Sequence, residues 1–192
     1  MNTSTQRNAV QQHNWISRFA FQCIRFMHDN FLIRRFRDPF EILKSMGIKP
    51  GDKVLEIGCG PGFFTLPAAQ ILGPQGRVVA LDVNPFAVDY VTDKLAKRNI
   101  EKAKAVHANA SDTGLSDDSI DLAFFIGVPH VSGGLGPVVK ELRRVLRPTG
   151  RIAFHYGRWS PESLVSQMNG LGFELSETRG KVGVFVPAAS KE

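Results

Sequence analysis

Apolar residues recur along this chain with two periods. Short continuous runs such as Val54-Leu55-x-Ile57 read as strands covered on both faces, and similar runs predict strands over 77–82, 103–107, 120–126 and 150–156. Between them the spacing is helical. Asp38-Pro39-Phe40-Glu41 predicts a helix start with an acidic N-cap, Pro at the first position and Glu at the third, and Gly47 predicts its end. Further helices are predicted over 64–72, where Pro67 is expected to introduce a kink, from Asn84-Pro85, over 136–146, and from Ser160-Pro161 to about Leu171. Two last strands, 173–179 and 182–187, flank Gly180-Lys181 as in a hairpin. Strand–helix alternation with short turns predicts a doubly wound α/β sheet, mostly parallel, with one reversed strand and its ligand at the carboxyl ends of the strands.

A different pattern precedes this. From about Ala9 to Phe36, Arg18, Gln22, Arg25 and Asp29 form a polar stripe, and Ile16, Ala20, Cys23, Met27 and Phe31 an apolar one. Trp15, Phe19 and Phe26 widen the apolar side. Such a helix can pack on the main domain, cover a substrate pocket or lie in a lipid interface. The chain therefore divides into an N-terminal helical extension, residues 1–38, and a ligand-binding domain, residues 39–192.

Length and composition narrow the class. With 192 residues, 43% hydrophobic and 22% charged, the chain suits one globular domain with a real core. No apolar run approaches the about 20 residues that a membrane span needs, and the polar start predicts no secretory signal. Two cysteines, Cys23 and Cys59, lie in different segments and read as reduced thiols, so a cytoplasmic location is expected. The five histidines are scattered and no Cys/His cluster has ligand spacing, so no metal is expected. The net charge of +6 gathers early, at Arg7, Arg18, Arg25, Arg34, Arg35 and Arg37. It is compatible with an anionic partner or with a solvated helix face.

The candidate chemistry starts at Glu56-Ile57-Gly58-Cys59-Gly60-Pro61-Gly62. Gly58, Gly60 and Gly62 allow a sharp turn after the first strand and a close approach of ligand to backbone. Glu56 disfavours a naked phosphate and favours a ligand end bearing an amine or hydroxyls; the Gly-Lys-Ser/Thr of a phosphate loop is missing. Asp82 closes the second strand 20 positions after Gly62, where a carboxylate can accept from both hydroxyls of a ribose. It also suits capping of the following helix.

Taken together, this turn, Asp82, the Ala108-Asn109-Ala110 and Leu115-Ser116-Asp117-Asp118-Ser119-Ile120-Asp121 stretches, and Arg144-Val145-Leu146-Arg147-Pro148-Thr149-Gly150 resemble the ordered motifs of class I S-adenosylmethionine-dependent methyltransferases. The likeness is to the small-molecule subgroup that includes quinone-biosynthesis C-methyltransferases, and it covers about residues 40–158. It implies a seven-stranded Rossmann-like sheet with a reversed last strand. It also implies S-adenosylmethionine as cofactor: Gly58, with Glu56 behind it, at the methionine end, Gly60 and Gly62 in the same turn, Asp82 at the ribose, Val83 next to it as a further cofactor contact, Asn109 and Ala110 at the adenine, and Ile126 and Gly127 beside the sulfonium. Asn109 stands where the family has Asp; its amide oxygen can still accept from the adenine amine but carries no charge. The Arg147-Pro148-Thr149-Gly150 segment is expected to be a helix end and turn.

The acceptor side is thinner. His130, after the fourth strand, is the candidate general base, with His155 a weaker one. Tyr156 and Trp159, with Trp15 and Phe19 if the first helix folds over, would suit a flat or lipophilic small molecule. Gly127-Val128-Pro129-His130 lacks the Asn/Asp-Pro-Pro-Tyr/Phe of base-methylating enzymes, and no ribose-methylating Lys-Asp-Lys-Glu tetrad is apparent. Nucleic acid is thus disfavoured as acceptor, and the first helix is a candidate for contact with a membrane surface. The alternatives are methylation of RNA or protein, a non-catalytic S-adenosylmethionine-binding protein and, ranked last, a nicotinamide oxidoreductase.

Overall fold

A computed structural model describes residue 22 and residues 38–127, 134–157 and 159–189. Apart from residue 22 and Asp38, the predicted N-terminal extension, residues 1–38 with its helix over 9–36, lies outside the described residues, and so does His130. The described elements are α1 (Pro39–Ser45), β1 (Lys53–Ile57), α2 (Thr65–Leu72), β2 (Arg77–Asp82), α3 (Pro85–Ala96), β3 (Ala103–His107), β4 (Ile120–Phe125), α4 (Leu135–Val145), β5 (Leu146–His155), α5 (Pro161–Gly170), β6 (Phe173–Arg179) and β7 (Val182–Pro187). The seven strands form one sheet in the order β3-β2-β1-β4-β5-β7-β6. All neighbours pair parallel except β7, which runs antiparallel to both β5 and β6. This is the expected mostly parallel sheet with a reversed last strand.

Alternate side chains of the buried strands feed two cores. Val54, Val78, Ala80, Leu122 and Phe124 pack with residues of α1, α2 and α3 on one face. Leu55, Val79, Leu81, Ala123 and Phe125 pack with residues of α4 and α5 on the other. On that second face Phe125 and Phe154 stack at 4.2 Å, and Phe185 meets Phe154 edge-on at 5.9 Å, which locks the reversed strand to the parallel part.

Local chemistry starts the helices as predicted. Asp38 accepts from the Phe40 N–H at 2.9 Å, Asn84 from the Phe86 N–H at 3.1 Å and Ser160 from the Ser163 N–H at 3.3 Å. Glu41 does not close a capping box; it bonds Lys44 at 2.8 Å on the exposed face. Pro67 causes no kink to be accounted for, because α2 begins at Thr65 and places it third, where a helical N–H has no intrahelical partner to lose. The Pro-Thr-Gly segment is a second correction. Instead of a free turn it is the first half of β5: Leu146 pairs with Ile120, Arg147 ion-pairs with Asp121, and a register shift between Ile120 and Leu122 absorbs the irregular residues.

Arginines from β5 and β6 pin the end of α1 and the loop after it. Arg151 donates to the Gly47 carbonyl at 2.8 Å and to Asp52 at 2.9 Å, and Arg179 donates to the Ser45 carbonyl at 3.4 Å. These cations sit where the last carbonyls of α1 lack partners. Among the described residues no helix is long and apolar enough to cross a membrane.

Gly183 on β7 has Tyr156 pressed against it: a Cβ there would lie 2.4 Å from the Tyr156 hydroxyl oxygen and 2.8 Å from its ring carbon. Gly183→Ala is expected to destabilise the fold by about 1–3 kcal/mol through overpacking. Urea unfolding checks this, and wild-type stability in the variant would remove the packing account.

Candidate active site

Because β1, β2, β3, β4 and β5 run parallel, their carboxyl ends share one edge of the sheet. Ile57 is level with Leu81 on one side and Phe125 on the other, Asp82 with His107, and Phe125 with Phe154. The chain leaves β1 towards β2 and β3 on one side and returns to β4 on the other. In open α/β sheets the ligand crevice lies at this reversal, which here falls above β1 and β4. Asp82, the last residue of β2, and Gly58, Ile126 and Gly127, just past the ends of β1 and β4, all lie at this edge.

The glycine turn is held from below. Gly58 and Cys59 both donate their N–H to the Leu81 carbonyl, at 2.8 and 3.0 Å, Gly60 donates to an Asp82 carboxylate oxygen at 2.9 Å, and Gly62 donates to the Cys59 carbonyl at 2.9 Å. Gly58, Gly60 and Gly62 have φ of +76°, +49° and +74°, a region that side chains other than glycine seldom adopt. A Cβ on Gly62 would also meet Val91 of α3 at 3.0 Å. From the same helix Lys94 donates to the Pro61 carbonyl at 2.9 Å.

This hydrogen bonding decides what the turn can receive. A pyrophosphate cradle needs outward N–H groups. Here the N–H groups of all three turn glycines and of Cys59 are engaged inside the protein. What remains suits a donor or a cation. A Cβ built on Gly60 or Gly127 would find nothing within 4 Å, so ligand atoms can come close to backbone at both places.

Asp82 has two functions in the fold. One oxygen takes the Gly60 N–H and the other the Asn84 N–H, each at 2.9 Å, so the group fixes both the turn and the approach to α3. Each oxygen keeps a second lone pair, enough for a pair of ribose hydroxyls. Val83, beside it, is 55% exposed, the kind of bare apolar surface that a flat ring can cover. His107 bonds the Val83 carbonyl at 3.1 Å and steadies that corner from β3.

Glu56 lies behind Gly58, one strand position before Ile57. It is 3% exposed, on the α2 side of β1, and accepts from the Thr65 hydroxyl at 2.6 Å. Burial pushes its carboxyl up to about 8; the Thr65 hydroxyl opposes that shift and the nearby Asp82 charge adds to it. Cys59 is buried in the turn, and burial first, then the acidic neighbours, push its thiol upward, so it is no nucleophile. Asn109 is exposed, and its side-chain oxygen accepts from the Ser111 N–H at 3.1 Å, which leaves one lone pair for a ligand amine. Ala110 is buried. Ile126 stands just past β4, half-buried, and Gly127 is exposed.

The aromatic residues behave unevenly. Tyr156 is buried against β7, part of the core and not of an open pocket wall. Trp159 is half-buried and tilted against Phe154 at 6.1 Å. His155 ends β5 opposite Val182. Sequence reasoning missed Thr65, Lys94 and His107, which support the site through its backbone and its buried acid. Of these only Thr65 leaves a trace, as a hydroxyl opening the helix after the glycines.

Residues 48–179 match the protein family described as Methyltransferase domain. The chain belongs to that family. Methyltransferase relatives include a demethylmenaquinone methyltransferase of Bacillus cereus, 29% identical over 113 residues, which are 58% of this chain and 47% of that protein. The chain thus spans about half the length of the curated relatives it matches. Among solved structures, an S-adenosylmethionine-dependent methyltransferase from Aquifex aeolicus superposes with a TM-score of 0.73 at 22% identity, over 84% of this chain and 95% of the other. The cyclase SpnF superposes with a TM-score of 0.63 at 19% identity, over 72% and 57%. At these identities the structural likeness establishes the methyltransferase fold alone.

Glu56 gives this methyltransferase domain a measurable signature. Its carboxyl keeps a proton to about pH 8 when folded, whereas unfolded it releases that proton near 4.5. Between those values the folded state binds more protons, so this group's contribution to stability falls as pH rises. Glu56→Gln is expected to gain melting temperature relative to wild type from pH 5 to pH 8 and to gain no more above. A constant difference across that window would show that the carboxyl is ionised in the fold.

Proposed function

We propose that the chain transfers a methyl group from S-adenosylmethionine to a small acceptor, flat or lipophilic, by in-line displacement. The observation that carries this reading is the inward hydrogen bonding of the glycine turn. It suits a ligand end bearing an amine and argues against the pyrophosphate of a nicotinamide cofactor. Asp82, flanked by exposed Val83, supports a nucleoside beside it, and family membership supports the choice of this nucleoside cofactor.

The cofactor supplies the electrophile, a methyl group on a sulfonium, and the protein supplies position. In this reading Gly58, Gly60 and Gly62 seat the methionine end, with Glu56 beneath them acting through Thr65 and the turn. Asp82 takes the ribose hydroxyls and Val83 covers the base. Asn109 and Ala110 form the adenine side, and Ile126 and Gly127 lie beside the reacting sulfur. His130 is the general base. The acceptor approaches over the ends of β4 and β5, near Trp159.

The likeness to the cyclase SpnF favours one second reading. The same fold can hold the cofactor while the chain performs other chemistry or none. Binding of S-adenosylhomocysteine without methyl transfer across a broad panel of quinols, phenols and amines would select it. Methylation of RNA, held by the early arginines, predicts instead a binding that weakens steeply with salt.

Calorimetric titration with S-adenosylhomocysteine tests the main reading. Wild type is expected to bind in the micromolar range and Asp82→Ala to lose at least about 1.4 kcal/mol, a tenfold loss of affinity. No binding by folded wild type, or tight binding of NAD in its place, sinks the reading. Once an acceptor is found, His130→Ala is expected to lower kcat by about 100-fold or more with S-adenosylhomocysteine affinity unchanged. An unaltered kcat would remove His130 from the chemistry.

A further inference from the structure

The segment between β3 and β4, residues 108–119, has no helix or strand of its own, yet it carries the proposed adenine contacts Asn109 and Ala110. A loop of that length orders a binding wall only if something holds its middle. Its own bonds are short-range: the Ser111 N–H to Asn109, and an isolated bridge between Asn109 and Asp112. The middle is held from α4.

Thr113 is 4% exposed, among the few buried polar side chains of the described residues. Its N–H and its hydroxyl both donate to one carboxylate oxygen of Glu141, at 2.9 and 2.6 Å, and the Leu115 N–H donates to the Thr113 hydroxyl at 3.2 Å. Arg144, one turn along α4, grips the same carboxylate with two nitrogens at 2.9 and 2.7 Å and reaches Asp117 of the loop at 2.5 Å. The Asp118 N–H closes onto the Arg144 carbonyl at 3.1 Å. One carboxylate, set by a two-pronged guanidinium, thus anchors both polar groups of a buried threonine.

We propose that Glu141 is a positioning residue for the cofactor site, acting through Thr113 to hold Asn109 and Ala110 in place for the adenine; this rests on the reading of the site given above. Glu141 touches no ligand. Arg144 holds its carboxyl down to about 2, so the brace stays charged and intact throughout the ordinary pH range, and it acts as a fixed support and not as a switch.

The test measures binding of S-adenosylhomocysteine and of adenosine by the full chain, wild type against Glu141→Ala, Glu141→Gln and Thr113→Val. Glu141→Ala is expected to weaken both ligands about tenfold, by the same factor, because the defect lies on the nucleoside side. Glu141→Gln, whose amide oxygen still accepts from Thr113, is expected to stay within about threefold of wild type. Thr113→Val is expected to fall between them. A support that served stability alone would lower the melting temperature and leave both affinities intact below it. Hydrogen exchange of the Ser111 and Thr113 amides is expected to quicken in Glu141→Ala. Folded Glu141→Ala with affinities within twofold of wild type overturns the proposal. If that variant does not fold, Thr113→Val with unchanged affinity overturns it equally. Failure of wild type to bind either ligand overturns the reading of the site itself, a separate outcome.

Discussion

The hydrogen bonds from Gly58, Cys59 and Gly60 to the end of β2 are the constraint on which the rest of the site depends. A main-chain carbonyl and one carboxylate take three N–H groups that would otherwise point into the crevice. The turn is thereby fastened to the neighbouring strand, its positive backbone dipoles are hidden, and the same carboxylate remains available to a ligand. Remove Asp82 and the turn loses the tether at Gly60 and the site its anion together. Lys94 and Val91 hold the turn from α3, so strand, turn and helix form one rigid corner.

Much of this was legible in the chain. Apolar runs framed β1 and β2 within their observed limits, because buried parallel strands leave few polar positions to blur their ends, and the Gly180-Lys181 turn set the facing ends of β6 and β7. Helix starts were legible for a local reason: Asp38, Asn84 and Ser160 are each followed by proline, and a cap needs nothing from the rest of the molecule. Where long-range pairing overrides local signals, reading failed. Arg147-Pro148-Thr149-Gly150 has the composition of a turn, yet Asp121 and Ile120 draw it into the sheet.

The candidate site followed the same division. Glycines and Asp82 carry their meaning in their position after a strand, so they could be found by spacing. Glu141, Thr113 and His107 act through contacts between elements distant in sequence, and nothing near them announces a function. The charged pair Glu141 and Arg144 would pass for ordinary surface decoration of an amphipathic helix. Only the burial of Thr113 reveals that it faces inward.

The position of β7 bears on how the chain can be made. Val182–Pro187 inserts between β5 and β6, although β6 precedes it in the chain. While the polypeptide emerges from its N-terminus, β5 must wait with a bare edge and Phe154 without its partner Phe185 until residue 187 has appeared. The parallel half, with the glycine turn and Asp82, can condense earlier. Synthesis therefore passes through a stage in which the cofactor corner exists beside an open strand edge. At that moment the chain is most exposed to pairing with a neighbour, and a chaperone has the most to cover.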